Sequence, residues 1–311
     1  MTAQFQHDLK VVALAGGVGG ARLVDGLHRA LPAGSLTVIV NTGDDFRHWG
    51  LHISPDIDTI IYTLCGLAPD ARGWGIDGDT FHVLAEATRR GESDWFQLGD
   101  RDLVTHLSRS AALGRGHSLT DVTRTLCAAL GVDRPILPMT DAPRPTIIVT
   151  RDGRELAFQH WLIRERAEPA VQVVRFDGSD HATKPVLEAL DAADLAVVCP
   201  SNPYVSIDPI LALHGISDRL RRMKTVAVSP IVDGKAVKGP LGTMITDIEG
   251  RKPSAEAVAA HYEGLLDGYA IHRGDAFETP LPILETNILI QSKPDRLVLA
   301  HELIDFARSL P

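Results

Sequence analysis

The 311-residue chain predicts an α/β fold: a Rossmann-like, mostly parallel sheet with helices on both faces and a helical insertion. Three observations predict it. The apolar run Val11–Ala15, the glycine cluster GGVGG at 16–20, a helical pattern over 21–31 and a second apolar run Leu36–Val40 spell a βαβ opening, because strands this apolar on both faces belong to a parallel sheet covered by helices. The same grammar returns over 171–176, 185–192, 195–199, 209–223 and 225–228 as strand, helix, strand, helices and strand. Between these stretches, 69–137 is dominated by helix signals. The domain reading follows: 1–68 and 138–311 make the core, and 69–137 is a mainly helical insertion.

Within the insertion, helices are expected over 80–90, 100–113 and 118–130. Ser118 is a good N-cap for the last, with Asp121 three residues on and Gly131 at its stop. Thr146–Thr150 and 155–159 alternate like a hairpin around Arg151-Asp152-Gly153-Arg154, and this hairpin is expected to rejoin or edge the main sheet. Strands near 269–272 and 282–290 precede a helix from Pro294 with Ser292 as its cap.

Composition removes whole classes of function. Lys and Arg number 31 against 40 Asp and Glu, a formal net charge of −9, so the chain lacks the positive field that a nucleic-acid backbone demands. No apolar run approaches the roughly 18 residues of a membrane span. The start, MTAQFQHDLK, lacks the basic, apolar and small-residue regions of a secretory signal, which points to the cytoplasm. Cys65, Cys127 and Cys199 are odd in number and widely spaced, which suits reduced thiols. The partners expected are small molecules, with neither nucleic acid nor membrane. A helical insert and an apolar C-terminal helix are compatible with a homodimer.

Gly16, Gly17, Gly19 and Gly20 follow a strand and open a helix, where backbone amides can approach a phosphate at the helix N-terminus. The competing reading is a tight turn whose glycines only allow strand and helix to pack closely. The dinucleotide fingerprint fits poorly, since Arg22 stands where its third glycine belongs, and the Gly-Lys-Ser/Thr of a P-loop is missing. Arg22 could add a fork of donors to the same phosphate or face water.

Behind the second strand come NTGDD at 41–45 and SPDIDT at 54–59. In an open α/β sheet these acids face the glycine loop across the cleft at the strands' carboxyl ends. Carboxylates beside a phosphate make sense when a divalent cation lies between them, and Mg²⁺ is the natural one. The expected ligands are Asp44 or Asp45 with Asp58, while Asp56 is read as the cap of its own helix. His48 and His52 are spaced i, i+4 but straddle Gly50 and lack a zinc-protease glutamate. In LGDRD at 98–102, Asp100 is the expected N-cap, leaving Arg101 to face water or the cleft. CPSNPYVSI at 199–207 is a rigid polar loop after a strand. Ser201 lacks the G-x-S-x-G elbow of a nucleophile, so Ser201 and Asn202 are expected to hydrogen-bond a nucleotide. VSPIVDGKAVKGP at 228–240 repeats the theme with Ser229, Lys235 and Lys238.

Taken in order, AGGVGGARL, NTGDD, SPDIDTIIYTL, RGWGIDGDTF, LGDRDLVTHLSRS, ILPMTD, CPSNPYVSI and VSPIVDGKAVKGP resemble the 2-phospho-L-lactate transferase family of deazaflavin coenzyme F-420 biosynthesis. The resemblance covers essentially the whole chain. It implies a Mg²⁺-dependent transferase that moves a phospho-acid unit from a GDP-activated donor to the ribityl hydroxyl of the deazaflavin Fo and releases GMP. It assigns Asp58 and Arg101 to Fo, Asp44 to the metal with Asp45 as a weaker candidate, and the glycine loop, Ser201 to Pro203 and Ser229 to Ile231 to the guanosine diphosphate side. Asp58 and Asp44 are the expected catalytic residues. The loop reads GGVGGAR where archaeal members carry GGTGTPK, so the chain looks closer to bacterial members, which use the enolpyruvyl form of the donor in place of the lactyl form. A nucleotide-sugar-binding regulatory family of similar fold supplies the non-catalytic alternative.

Overall fold

The computed structural model describes residues 9–311. Most of the segment MTAQFQHDLK, on which the leader reading rests, lies outside the described residues. The chain runs β1 (Val11–Ala15), α1 (Gly17–Ala30), β2 (Leu36–Val40), β3 (Phe46–His48), β4 (Leu51–Ile53) and α2 (Pro55–Leu64). Then follow α3 (His82–Arg89), α4 (Asp102–Gly114), α5 (Leu119–Ala129), β5 (Ile136–Pro138), β6 (Thr146–Thr150), β7 (Glu155–Ala157), β8 (Val171–Phe176), α6 (Lys184–Ala192) and β9 (Leu195–Val198). The last third holds α7 (Asp208–Leu211), α8 (Ile216–Leu220), β10 (Lys224–Val228), β11 (Ile231–Val232), β12 (Lys235–Ala236), α9 (Leu241–Glu249), α10 (Ala255–His261), β13 (Gly268–His272), β14 (Ile283–Thr286) and α11 (Lys293–Ser309).

Seven strands form one sheet in the order β14-β13-β10-β9-β1-β2-β5, and every pairing in it is parallel. Strand β1 is buried along its whole length, as its apolar run requires. Its alternate residues feed two cores. Val11, Ala13 and Ala15 pack with α1, α2 and α11, while Val12 and Leu14 pack with the 184–262 helices on the other face. From β1 the strand order advances through β2 to β5 on one side and through β9 to β14 on the other. The order therefore reverses between β1 and β9, and the crevice outside the carboxyl ends of strands at such a point is where open α/β sheets bind ligands. No helix of the described residues is long and apolar enough to cross a membrane.

Two sequence expectations change here. The hairpin β6–β7 neither rejoins nor edges the main sheet. Together with β8 it forms a separate antiparallel sheet in the order β7-β6-β8. Strand β8, read as a parallel core strand, joins it because only Val171 of its six residues is buried. A half-exposed strand suits a sheet with one solvated face. Helix α1 also starts four residues before the expected position, so GGVGG is the strand exit and first helical turn rather than a free loop.

The helical segment 69–137 re-enters the main sheet at its end, where Ile136 pairs with Val38. Helix α5 is capped by Ser118, whose hydroxyl accepts from Asp121 N, and α11 by a Ser292–Asp295 capping box, as the sequence predicts. Asp100 does not cap its own helix. Its carboxylate accepts from the amides of His82 and Val83 at the start of α3, while Asp79 accepts from those of Arg101 and Asp102 at the start of α4. The two helices thus exchange caps, which ties a helix with no buried residue, α3, to the rest.

Candidate active site

The glycine turn is built by close approach. A Cβ on Gly16 would stand 2.5 Å from Asp56 Oδ2, one on Gly19 2.4 Å from the carbonyl oxygen of Pro200, and one on Gly20 2.6 Å from Ser201 Oγ. Gly17 has open space instead but a φ of +62°, which L side chains resist. The close-packing reading thus holds for Gly19 and Gly20, yet Gly16, Gly17 and Gly19 also line the large cleft described below. Ser201 ties the two loops, its hydroxyl accepting from Gly16 N at 3.1 Å and donating to Gly16 O at 2.8 Å. Gly17 N donates to Asp56 Oδ1 at 2.7 Å. The remaining N–H groups of the first turn of α1 lack intrahelical partners and leave partial positive charge at the cleft, with no acidic side chain in that turn to offset it.

Asp56 is therefore not the cap of its own helix. It sits inside the first turn of α2, where Ser54 holds the cap position without a side-chain cap bond, and its carboxylate reaches the glycine turn. The fully buried Asn41 explains why it stays there. Its side-chain amide donates to Asp44 Oδ1 at 2.8 Å and to Asp56 Oδ2 at 2.9 Å, so one amide bridges two carboxylates. Gln159 Nε2, 3.3 Å from Asp44 Oδ2, adds a fourth polar group from beyond β7. Burial, reinforced by the charge of Asp56, raises the Asp44 carboxyl well above its ordinary range despite the donors Asn41 and Gln159. Burial likewise pushes Asp56 up to about 6 against the hydrogen bonds from Asn41 and Gly17 N. Two buried carboxylates short of positive charge, both on the cleft, form the pair able to hold a cation. Among the described residues no three His, Cys, Asp or Glu side chains are arranged to hold a metal by themselves. A cation here would have to complete its shell with ligand and water oxygens, which is how Mg²⁺ is commonly bound.

The other predicted acids lie elsewhere. Asp45 is turned to the β3–β4 hairpin, accepting from Ser54 Oγ at 2.8 Å and meeting His52 Nε2 at 2.9 Å, and it is not part of the cleft lining. Asp58 does line the cleft, but both of its oxygens accept from Arg109, through Nη1 at 3.0 Å and through Nη2. Its charge is already met by a guanidinium, whereas Asp44 and Asp56 have only neutral donors, so Asp58 stands apart from the Asp44–Asp56 pair. Behind it, Arg109 Nη1 also donates to His106 Nδ1 at 3.3 Å, and His106 Nε2 lies 3.3 Å from Asp102 Oδ1, near enough for charge but off the hydrogen-bond direction. Tyr62 donates its hydroxyl hydrogen to Asp102 Oδ1 at 2.7 Å. Burial works to raise the Asp102 carboxyl, but His106, Tyr62 and Arg109 outweigh it and leave the group below its ordinary value.

Sequence reading passed over Asn41, Tyr62, Asp102, His106 and Arg109. The last three carried a readable signal, since i, i+4 and i+7 put them on one face of α4, and Asp58 and Tyr62 share a face of α2 by the same spacing. Arg101, in contrast, lies outside the lining, with its guanidinium on the carbonyl of Asp77 at 3.0 Å. Arg22 lines the cleft and donates to the carbonyl of Asp70 at 2.6 Å. Asn202 accepts from Tyr204 N, and Ser229 donates to the carbonyl of Ile231. Both are therefore committed to their own turns while facing the cleft.

The cleft measures about 1040 Å³. Its lining joins the polar glycine turn, Asp44, Asp56, Ser201 and Lys238 with the apolar Ile53, Trp95, Phe96, Phe158 and Ile163. Trp95 and Phe96 belong to an aromatic cluster that also contains Phe46, 4.9 Å from Phe96 between centroids, and His160, 4.6 Å from Trp95. One chamber thus offers amides and carboxylates for a metal-bound polyphosphate and a flat apolar wall for a ring system. Asp58 and Asp102 line the same chamber.

The family model described as 2-phospho-L-lactate transferase CofD matches residues 11–282. A phosphoenolpyruvate transferase of Nocardia farcinica is 39% identical over 316 residues, covering 96% of this chain and 95% of that protein. One of Thermobifida fusca is 40% identical over 321 residues, covering 97% and 99%. A crystal structure of a UPF0052-family protein from Bacillus halodurans superposes with a TM-score of 0.57 at 17% identity, covering 87% of this chain and 82% of that one, which is a likeness of fold. The match to the family model across most of the chain, which takes in the glycine turn and the carboxylates of this cleft, places the protein in the 2-phospho-L-lactate transferase (CofD) family.

Proposed function

We propose that the protein transfers a phosphoenolpyruvyl unit from a GDP-activated donor to the ribityl hydroxyl of the deazaflavin Fo, releasing GMP. The observation that carries this reading is the meeting, in one cleft, of the glycine turn, the Asp44–Asp56 pair and the aromatic side chains of Trp95 and Phe96. Relatives at about 40% identity named phosphoenolpyruvate transferase support the enolpyruvyl donor over the lactyl and glyceryl ones.

In this reading the donor diphosphate lies on the N-terminus of α1, against Arg22 and the loops carrying Ser201, Asn202 and Ser229. Mg²⁺ held by Asp44 with Asp56 would neutralise phosphate charge and steady the departing GMP. Asp45 is the less suitable ligand of the two proposed from the sequence, since it lies off the cleft lining with one oxygen on His52 and Ser54. The acceptor hydroxyl attacks the distal phosphorus, a phosphorus–oxygen bond to GMP breaks as the new one forms, and the hydroxyl proton leaves toward the carboxylates of the wall. Asp58, fixed by Arg109, orients that hydroxyl. Positioning and charge stabilisation carry most of such a transfer. Arg101 reaches the acceptor by leaving the Asp77 carbonyl. The three cysteines are free thiols, which supports a reducing, cytoplasmic location.

The test mixes protein, Mg²⁺, Fo and the GDP-linked enolpyruvyl, lactyl or glyceryl donor, and follows GMP and the phosphodiester product by mass spectrometry. Product from the enolpyruvyl donor in preference to the others is expected. Donor bound but intact with every acid would point to a nucleotide-binding regulatory protein instead.

A further inference from the structure

Asp58 and Asp102 come from different helices, α2 and α4, and both line the cleft on either side of the buried imidazole of His106. His106 Nδ1 lies 3.7 Å from Asp58 Oδ2 and its Nε2 lies 3.3 Å from Asp102 Oδ1. A single guanidinium fixes this arrangement, because Arg109 grips Asp58 directly and donates to His106 Nδ1. His106 and Arg109 are 1% and 2% exposed, so the spacer between the carboxylates is rigid and dry. The protein uses only one oxygen of Asp102. Oδ1 accepts from Tyr62 and lies beside His106 Nε2, and Oδ2 has no partner among the described residues.

We propose that Asp102 is a second acceptor-binding residue, its free carboxylate oxygen taking the hydroxyl groups of a polyol chain one step along from the hydroxyl held by Asp58. The inference rests on the acceptor reading given above and deepens it: the cleft wall reads a polyhydroxylated substituent rather than the ring alone. Two anionic acceptors at a fixed separation suit a chain of hydroxyl donors, and Trp95 and Phe96 line the same cleft for the ring that carries it. Arg109, off the cleft lining, is a positioning residue that with His106 holds the two carboxylates at their spacing.

The test is direct binding of Fo, followed by its own fluorescence, to wild type and Asp102→Asn, together with a deazaflavin bearing a methyl group in place of the polyol. Asparagine keeps an oxygen to accept from Tyr62 but loses the charge that His106 and Arg109 favour, so the fold is retained with a modest fall in denaturation midpoint. A hydrogen bond to a charged group is lost, and Fo should bind roughly tenfold to a hundredfold more weakly. The methyl analogue should bind both proteins equally. Guanosine diphosphate affinity with Mg²⁺ should stay unchanged, which separates loss of acceptor contact from general damage. Equal Fo affinity in wild type and variant overturns the inference, as does an equal loss for Fo and the methyl analogue. Failure of wild type to bind Fo at all overturns the acceptor reading itself. Should Asp102→Asn fold poorly, Asp102→Glu must show the same selective loss for Fo over the methyl analogue, and a uniform loss counts against the proposal.

Discussion

The two oxygens of Asp58 on α2 accept from the two terminal nitrogens of Arg109 on α4, a bidentate pair 51 residues apart in the chain and buried on both sides. Removing one partner strands the other charge in the interior. Arg109→Met should therefore cost about 3–5 kcal/mol, read as a fall in denaturation midpoint. Adding Asp58→Asn should return a large part of it. A double variant no more stable than Arg109→Met would show that the two side chains are not energetically coupled.

Asp44 gives a pH signature. Its folded carboxyl titrates well above the ordinary 3.8, through burial first and the charge of Asp56 second. The native state thus binds this proton more tightly than the unfolded chain, and stability falls as pH rises from the unfolded value through the folded one. Asp44→Asn removes that loss, and Gln159 can rotate to offer its oxygen to the new amide. The ligand-free variant should be more stable than wild type at pH 8, with the gap closing toward pH 4. Denaturant titrations at the two pH values check this, and a gap that is constant or widens on acidification contradicts it.

The glycine turn separates two effects of one methyl group. At Gly19 a Cβ would meet the carbonyl oxygen of Pro200 at 2.4 Å, so Gly19→Ala must push α1 away from the 200–206 loop. At Gly17 there is space, and the cost is the left-handed backbone, about 1 kcal/mol. Guanosine diphosphate affinity should fall more than tenfold for Gly19→Ala and only a few-fold for Gly17→Ala. Calorimetric titration of both variants would expose the reverse order.

Arg101 is exposed, and its guanidinium has one carbonyl partner. Arg101→Ala should change stability by less than about 0.5 kcal/mol. If the side chain swings to the acceptor during turnover, KM for Fo rises while kcat stays near wild type. An unchanged KM for Fo removes Arg101 from the acceptor site.

The central parallel strands and two helix starts were legible because Val11–Ala15, Leu36–Val40 and the 195–198 run are apolar on both faces, and because Ser118 and Ser292 cap their helices by local chemistry. The side sheet was not legible. The hairpin alternation of Thr146–Thr150 says that one face is buried without saying against what, and only the partial exposure of β8 decides it. In the site, Asp44 and the glycines could be read from their place after strands. Asp56 could not, since a carboxylate in the first turn of a helix is ordinarily spent on that helix. Its bond to Gly17 N spans 39 residues and depends on Asn41 between the two acids. Asp58 was readable as a site residue but its partner was not, because Arg109 is bound to it through tertiary packing alone.

The central claim is that Asp44 and Asp56 hold a cation against a diphosphate resting on the N-terminus of α1. Calorimetric titration of guanosine diphosphate into wild type and Asp44→Asn, each with and without Mg²⁺, tests it most directly. The account predicts that Mg²⁺ tightens binding at least tenfold in wild type and has little effect in the variant. Equal affinity in all four titrations, or an undiminished Mg²⁺ effect in Asp44→Asn, would contradict it.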